Sequence, residues 1–335
     1  MFTNTKNDKD FEQEARIIMS NVNRCYKNII TKSLFSKSFS FLLSNYVINK
    51  QMYDFNSSSC TIIRNPESEE NFILCVRSCN YYLNKNATSV NPYSKTITVN
   101  SLLYLDKLFN LTNTKTLETS YSNNSYIGIE DVRLFVFQKE IYFMGSMYNP
   151  LSKKIQIASN TYDVSNNKFD PIFLTPSFKT TNHWEKNWVF FNNQGKLGVI
   201  YKWFPVYICG INYKKKNLIL IKKNEKVPSF FSRLRGSTSG VDYDDKIWFI
   251  SHIYKVVNER RIYLHLFVCF DKSMNLLSYS DPFNFENNVV EFCIGLVINN
   301  NNFVITYSTL DCSTKMCVLS GKFVESLMIP YILVN

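Results

Sequence analysis

The sequence predicts an all-β protein, arranged either as a propeller or as a large sandwich. Three observations lead there. From about residue 58 onward, short apolar runs alternate with clusters of Asn, Ser, Gly, Asp and Lys, the pattern of strands and turns. No long helical pattern intervenes between them, which argues against a βαβ fold. Finally, 27 Phe, 21 Tyr and 4 Trp supply the ring-bearing side chains that suit pleated surfaces, in a chain with only 9 Gly and 9 Pro.

Residues 11–30 come first and differ from the rest. Phe11, Ala15, Ile18, Val22, Cys25 and Ile29 recur at spacings of three and four, an amphipathic helical pattern. An N-terminal helical extension over residues 1–50 is therefore expected, followed by a β domain over 51–335. Within that domain the expected strands are Asn71–Arg77, Thr96–Leu103, Val132–Phe137, Glu140–Met147, Lys153–Ser159, Lys196–Trp203, Asn217–Ile221, Lys246–Tyr254, Arg261–Phe270, Val289–Val297 and Phe303–Thr309. A hairpin turn is expected at Asn193-Gln194-Gly195. A short inner strand followed by an apolar hairpin recurs roughly every 50–60 residues, about five times. Both a propeller and a sandwich of this size deal with exposed sheet edges, by radial repetition or by stacking.

Composition narrows the function classes. The chain has 335 residues, of which 45% are hydrophobic and 19% charged, so it buries a core and is not disordered. Its 38 basic and 27 acidic residues give a net charge of +11, spread along the chain without a basic stripe, so no nucleic-acid partner is expected. Nine scattered cysteines include no CxxC pair, which argues against a disulfide framework and against a zinc site. The polar N-terminus has no apolar leader core and no later run reaches membrane-span length, so a cytoplasmic location is expected.

Five polar clusters stand near expected strand starts, where a propeller points side chains into its central funnel. In order they are Asn65-Pro66 with Arg77 and Asn80; Gly128-Ile129-Glu130-Asp131-Val132-Arg133; Glu185-Lys186-Asn187 between Trp184 and Trp188; the loop Arg235 to Gly240 with Trp248 and His252; and Glu291 with Tyr307 to Asp311. Strand alternation places Asp131 and Arg133 on one face and Glu130 on the other, so Arg133 would orient the Asp131 carboxylate. An ion pair closing a strand edge reads the same way. The two tryptophans beside Glu185 and Lys186 suit a sugar face, and equally a solvated rim. Asp311 and Glu291 form a carboxylate pair of the kind used in glycosidic acid/base work.

Taken together and in this order, the five clusters resemble the five-bladed β-propellers of glycoside hydrolase family 130, the β-mannoside phosphorylases and mannosidases. That family carries an early Asn-Pro, an Arg-bearing strand, Gly-x-Glu-Asp-Pro-Arg, Glu-Lys-Asn, a glycine loop leading to a Trp-strand-His segment, and a late Tyr-Gly-x-x-Asp. The likeness spans roughly residues 60–320. Val132 replaces the usual Pro and Ser308 the usual Gly, as in a divergent branch. The resemblance implies an axial active site with Asp131 as general acid, acting through a substrate hydroxyl beside Glu130. Arg77, Asn80, Arg133 and Asp311 would bind sugar, and Lys186, Arg235 and His252 would hold an anion. It implies no cofactor and no metal. Inorganic phosphate or a sugar nucleotide would be a co-substrate, an oligosaccharide or sugar phosphate the partner, and homo-oligomers are compatible with it. A non-catalytic glycan-binding propeller is the alternative.

Overall fold

A computed structural model describes residues 28–39, 43–48, 50–117, 126–180, 185–257, 260–288, 290 and 291–332. These residues form five antiparallel sheets arranged as the blades of a β-propeller, with one small extra ribbon at Tyr82–Leu83 and Ser89–Val90. The innermost strand of each blade faces the axis. These are Gln51–Asn65 in blade 1, Ile129–Phe137 in blade 2, Val189–Asn193 in blade 3, the interrupted pair Arg235–Gly236 and Val241–Tyr243 in blade 4, and Glu291–Asn299 in blade 5. Each blade then runs outward by hairpins. The expected turn is found at Gln194-Gly195, where both residues have positive φ (53° and 79°) and join Val189–Asn193 to Lys196–Trp203.

The blades are held by apolar side chains packed between neighbouring sheets. Phe191 and Trp203 of blade 3 meet Phe249 and Phe270 of blade 4, and Cys60 and Phe72 of blade 1 meet Val304 and Met316 of blade 5. Ring pairs such as Phe285 with Tyr307, stacked at 4.1 Å, show where the aromatic excess goes. Burying rings of this size supplies most of the stabilisation, roughly 25 cal/mol per Å² of apolar surface removed from water.

The first and last described strands lie on different blades. Phe35–Phe39 adds to Ser313–Ser320 as the outer strand of blade 5, and Leu43–Ile48 pairs with the start of blade 1. A short helix, Gly321–Leu327, capped by the Ser320 side chain, leads to Met328–Pro330, which pairs with Leu276–Ser280 at the edge of blade 4. The described part of the expected helical extension, residues 28–39 and 43–48, is therefore a 3-10 turn and two strands joined to the propeller. Strand pairing with exposed edges overrides the weak local pattern here. The helical pattern over 11–27 lies outside the described residues. Among the described residues no helix is long and apolar enough to cross a membrane.

Candidate active site

Inner strands start at one end of the axis, and a cavity of about 480 Å³ opens there. Its walls combine carboxylates (Glu130, Asp131, Asp311), cations (Arg77, Lys153, Lys154, Lys186, Arg235), His252 and the rings of Tyr81, Tyr126, Tyr148, Tyr263 and Phe292. The volume lies within the range of small-molecule sites.

Irregular backbone at the strand starts aims these groups. Pairing between Ile129–Phe137 and Glu140–Asn149 slips between Glu130 and Arg133, and Asp131 sits in the left-handed region at φ 53°. A bulge breaks alternation and re-aims side chains. Consequently Glu130 and Asp131 both reach the cavity, whereas the expected sharing of a face by Asp131 and Arg133 is not found. Just before the bulge, Gly128 has φ 91°, and a Cβ there would stand 2.1 Å from the Thr98 carbonyl oxygen, so only glycine fits. A second slip in blade 1, between Ser57 and Cys60, presents Ser58 and Ser59 to the same region.

The carboxylates gather around Arg77. Its Nη1 donates to Asp131 Oδ1 at 2.9 Å, and Nη2 contacts Glu130 Oε1 at 3.4 Å and donates to the Tyr81 hydroxyl. Ser59 Oγ donates to the same Asp131 Oδ1 at 3.0 Å, which leaves Oδ2 without a partner among the described residues. Ser58 Oγ donates to Asp311 Oδ1, also at 3.0 Å. Burial pushes the Glu130 and Asp311 carboxyls above their ordinary range; Arg77 opposes this in both, and Asp131 adds to it in both. Glu130 and Asp311 therefore hold their protons to higher pH than free carboxyls do.

Across the cavity stands the basic set. Arg235 and His252 are register partners in blade 4, and the Arg235 guanidinium lies over the Tyr254 ring at 4.7 Å. His252 is buried and shares a 2.8 Å hydrogen bond between Nδ1 and Ser237 Oγ. Burial first, then the charges of His265, Arg133, Arg235 and Lys186, push the imidazole well below its ordinary pKa, so it is neutral at pH 7. Lys186 and Asn187 lead into the blade 3 inner strand. Gly236 permits this approach, because a Cβ there would meet the Asn187 carbonyl oxygen at 2.4 Å.

Seven of the nine residues singled out from sequence thus meet at one cavity: Arg77, Glu130, Asp131, Lys186, Arg235, His252 and Asp311. Asn80 and Arg133 do not line it. Asn80 is buried, donating to the Lys95 carbonyl and accepting from the Ile97 N–H, which closes the loop after Cys79. Arg133 is 1% exposed and donates to the carbonyls of Ser237, Gly236 and Asp131, so it ties blade 2 to blade 4 beneath the cavity. Burial pushes its pKa down to about 10, which leaves it charged at pH 7.

Other expectations change as well. Glu291 is fully buried, and its carboxylate accepts the backbone N–H groups of Phe285, Glu286 and Asn288, so it is no partner for Asp311. Asn65-Pro66 lies at the far-end turn of blade 1, where Asn65 accepts from the Glu67 N–H. Trp188 is packed in the core and donates to Glu185 Oε2, which also leaves Glu185 facing inward. Trp184 is outside the described residues. Sequence reasoning missed Ser58, Ser59, Tyr126, Tyr148, Lys153, Lys154 and Tyr263. Tyr81 closes the first polar cluster of the sequence but had no role assigned, and Tyr126 stands two residues before the Gly128 motif. Among the described residues, no three His, Cys, Asp or Glu side chains group to hold a metal ion.

No protein-family model and no curated protein matches the sequence. Solved structures do match. A β-1,2-mannobiose phosphorylase from Listeria innocua superposes with a TM-score of 0.56 at 13% identity, over 88% of this chain and 99% of its own. A putative glycoside hydrolase from Parabacteroides distasonis gives 0.57 at 12% identity, over 87% and 93%. A GDP-Man-dependent mannosyltransferase from Leishmania mexicana gives 0.50 at 12% identity, over 79% and 86%. Structures of glycoside hydrolase family 130 mannoside phosphorylases and hydrolases are among the matches. At this identity the likeness establishes a shared five-bladed fold. The fold expected from the ordered motifs is the one found.

Proposed function

We propose that the protein is a carbohydrate-active enzyme that cleaves or forms β-mannosidic bonds in the axial cavity, with an anion as co-substrate. The observation that carries this reading is the division of one cavity into a proton-holding carboxylate wall and a cationic wall. Glu130, Asp131 and Asp311 stand on one side, and Lys186, Arg235 and neutral His252 on the other. Carboxylates accept from sugar hydroxyls, and fixed cations clamp an anionic nucleophile without reorganising as the reaction proceeds.

In phosphorolysis the bond between the anomeric carbon and the bridging oxygen breaks, and a phosphate oxygen forms the new bond to that carbon. Asp131 supplies the proton that the leaving oxygen requires, from Oδ2 and through a hydroxyl of the substrate. The proton released as phosphate becomes an ester returns to the carboxylate, so the cycle closes. Arg77 and Ser59 hold Oδ1 and fix the direction of Oδ2. Arg77 and Asp311 contact the sugar from the same wall. Transfer from a sugar nucleotide uses the same parts, with the phosphorylated donor in the cationic half.

The test is to incubate the full chain with β-linked mannobioses and inorganic phosphate, and in reverse with mannose and mannose 1-phosphate or GDP-mannose. Phosphate-dependent release of mannose 1-phosphate, or transfer from either donor, supports the reading. Retained mannoside binding without turnover on any donor supports a glycan-binding propeller instead.

A further inference from the structure

Folding gathers the positive charge that the sequence spreads out. From Asn187 to Lys226, the span of blade 3, there are eight lysines and one acidic residue, Glu225. Strand order decides where they go. Val189–Asn193 starts at the cavity and runs away from it, so Lys196–Trp203 returns, Val206–Asn212 leaves, and Asn217–Asn224 returns. Lys202 and Lys223 therefore lie at the cavity end of the blade, whereas Lys222 turns toward blade 4 and donates to the Ser273 carbonyl. On blade 2, Lys153 and Lys154 occupy the hairpin turn at that same end and line the cavity itself.

None of these four lysines, Lys153, Lys154, Lys202 and Lys223, forms an ion pair with another described residue. Three paired lysines lie at the opposite end, Lys107 with Glu70, Lys246 with Asp244, and Lys272 with Asp242, and a fourth, Lys315, pairs with Glu286 on blade 5. Lys202 and Lys223 also approach the same ring, Tyr207, at 4.1 and 5.0 Å. That places the two ammonium groups within one Debye length, about 10 Å at 0.1 M salt, so they repel unless an anion lies near. Three strand spacings of about 4.8 Å separate the outer strand of the blade from its inner one. A free phosphate or a single sugar does not span that distance.

We infer that the cavity rim over blades 2 and 3 is a binding track for an anionic glycan, a chain bearing phosphate or carboxylate groups beyond the sugar that enters the cavity. The glycan nature of the ligand rests on the function proposed above. The track is continuous with a cavity whose opposite wall carries three carboxylates, which suits sugar hydroxyls and repels a phosphodiester backbone.

Two oligosaccharides of equal length test the track, a neutral mannan fragment and a phosphorylated one. Their binding to the full chain is compared at about 0.05 M and about 0.5 M salt, for the natural protein and for the Lys202→Gln/Lys223→Gln double variant. The phosphorylated chain is expected to bind about tenfold or more tightly at low salt, with the gap closing at high salt. The double variant is expected to lose the gap and keep its turnover of neutral mannosides. Equal binding of the two chains overturns the track, and so does a gap that survives the substitutions. Tighter binding of a DNA oligonucleotide or of phosphatidylserine vesicles, lost in the same variant, overturns it in favour of those partners. Turnover without a binding gap sinks the track alone, whereas a binding gap without turnover on any mannoside sinks the proposed activity and leaves the track standing.

Discussion

Arg77 Nη1 donates to Asp131 Oδ1 at 2.9 Å across the seam between blades 1 and 2. The two residues are 54 positions apart in sequence and belong to different sheets. Their bond makes the orientation of the acid depend on how two blades dock; three expectations rest on that geometry and a fourth on the cationic wall opposite.

Asp131→Asn keeps an oxygen to accept from Arg77 and Ser59 but removes the proton. Turnover is expected to fall by about 10²–10⁴-fold with fold and mannoside binding retained. Steady-state kinetics beside a binding titration checks this, and unchanged turnover would remove Asp131 from the role of acid.

Arg77→Met leaves Glu130, Asp131 and Asp311 facing one another without the guanidinium between them. Breaking a nearly buried pair of this kind costs about 3–5 kcal/mol. The carboxylates escape part of that cost by protonating, so the loss is expected to be larger at pH 8 than at pH 5. Denaturant unfolding at both pH values measures it, and equal losses would mean that the three groups do not interact.

Glu130 and Asp311 are pushed up mainly by burial, so these two carboxyls keep their protons above the ordinary carboxylate range. Ionising them puts negative charge beside the sugar and the anion, so turnover is expected to fall as pH rises through their raised pKa. Glu130→Gln removes one of the two titrating groups and a negative charge beside Asp311, which lowers the pKa of that carboxyl and moves the fall to lower pH. A pH–rate profile that shifts the other way would contradict the assignment.

Gly236→Ala sets a methyl carbon 2.4 Å from the Asn187 carbonyl oxygen and 2.6 Å from Val189 Cγ1. Backbone cannot yield cheaply, so blades 3 and 4 shift apart at the anion-holding wall. A stability loss of about 1–3 kcal/mol is expected, with KM for phosphate rising more than KM for the mannoside. Kinetics with each substrate varied in turn separates these effects.

Much of the fold is legible in the sequence, because strand period and turn residues are local properties. The turn at Gln194-Gly195 and the central strands sit where the apolar runs put them. The exchange of edge strands was not legible, since Phe35–Phe39 and Met328–Pro330 take their structure from strands of distant sequence, Ser313–Ser320 and Leu276–Ser280. The site divides along the same line. Ordered motifs bring seven residues to one cavity, but the role expected for Arg133 rested on regular alternation. Packing sets the bulge at Asp131, and with it Arg133 turns under the floor while Arg77 takes the carboxylate. Ser58 and Ser59 stand in a second bulge for which a run of serines gives no signal. The even spread of lysines concealed a charged rim because hairpin direction, not sequence position, decides which end of a blade each one reaches.

The central claim is that Asp131 works as an acid opposite a cationic pocket, and one measurement bears on it most directly. A β-linked mannobiose is incubated with the natural protein and with the Asp131→Asn variant, with and without inorganic phosphate, and mannose 1-phosphate is quantified. Phosphate-dependent product from the natural protein, reduced by two or more orders of magnitude in the variant, is the predicted result. Product formed equally by both proteins would contradict the account.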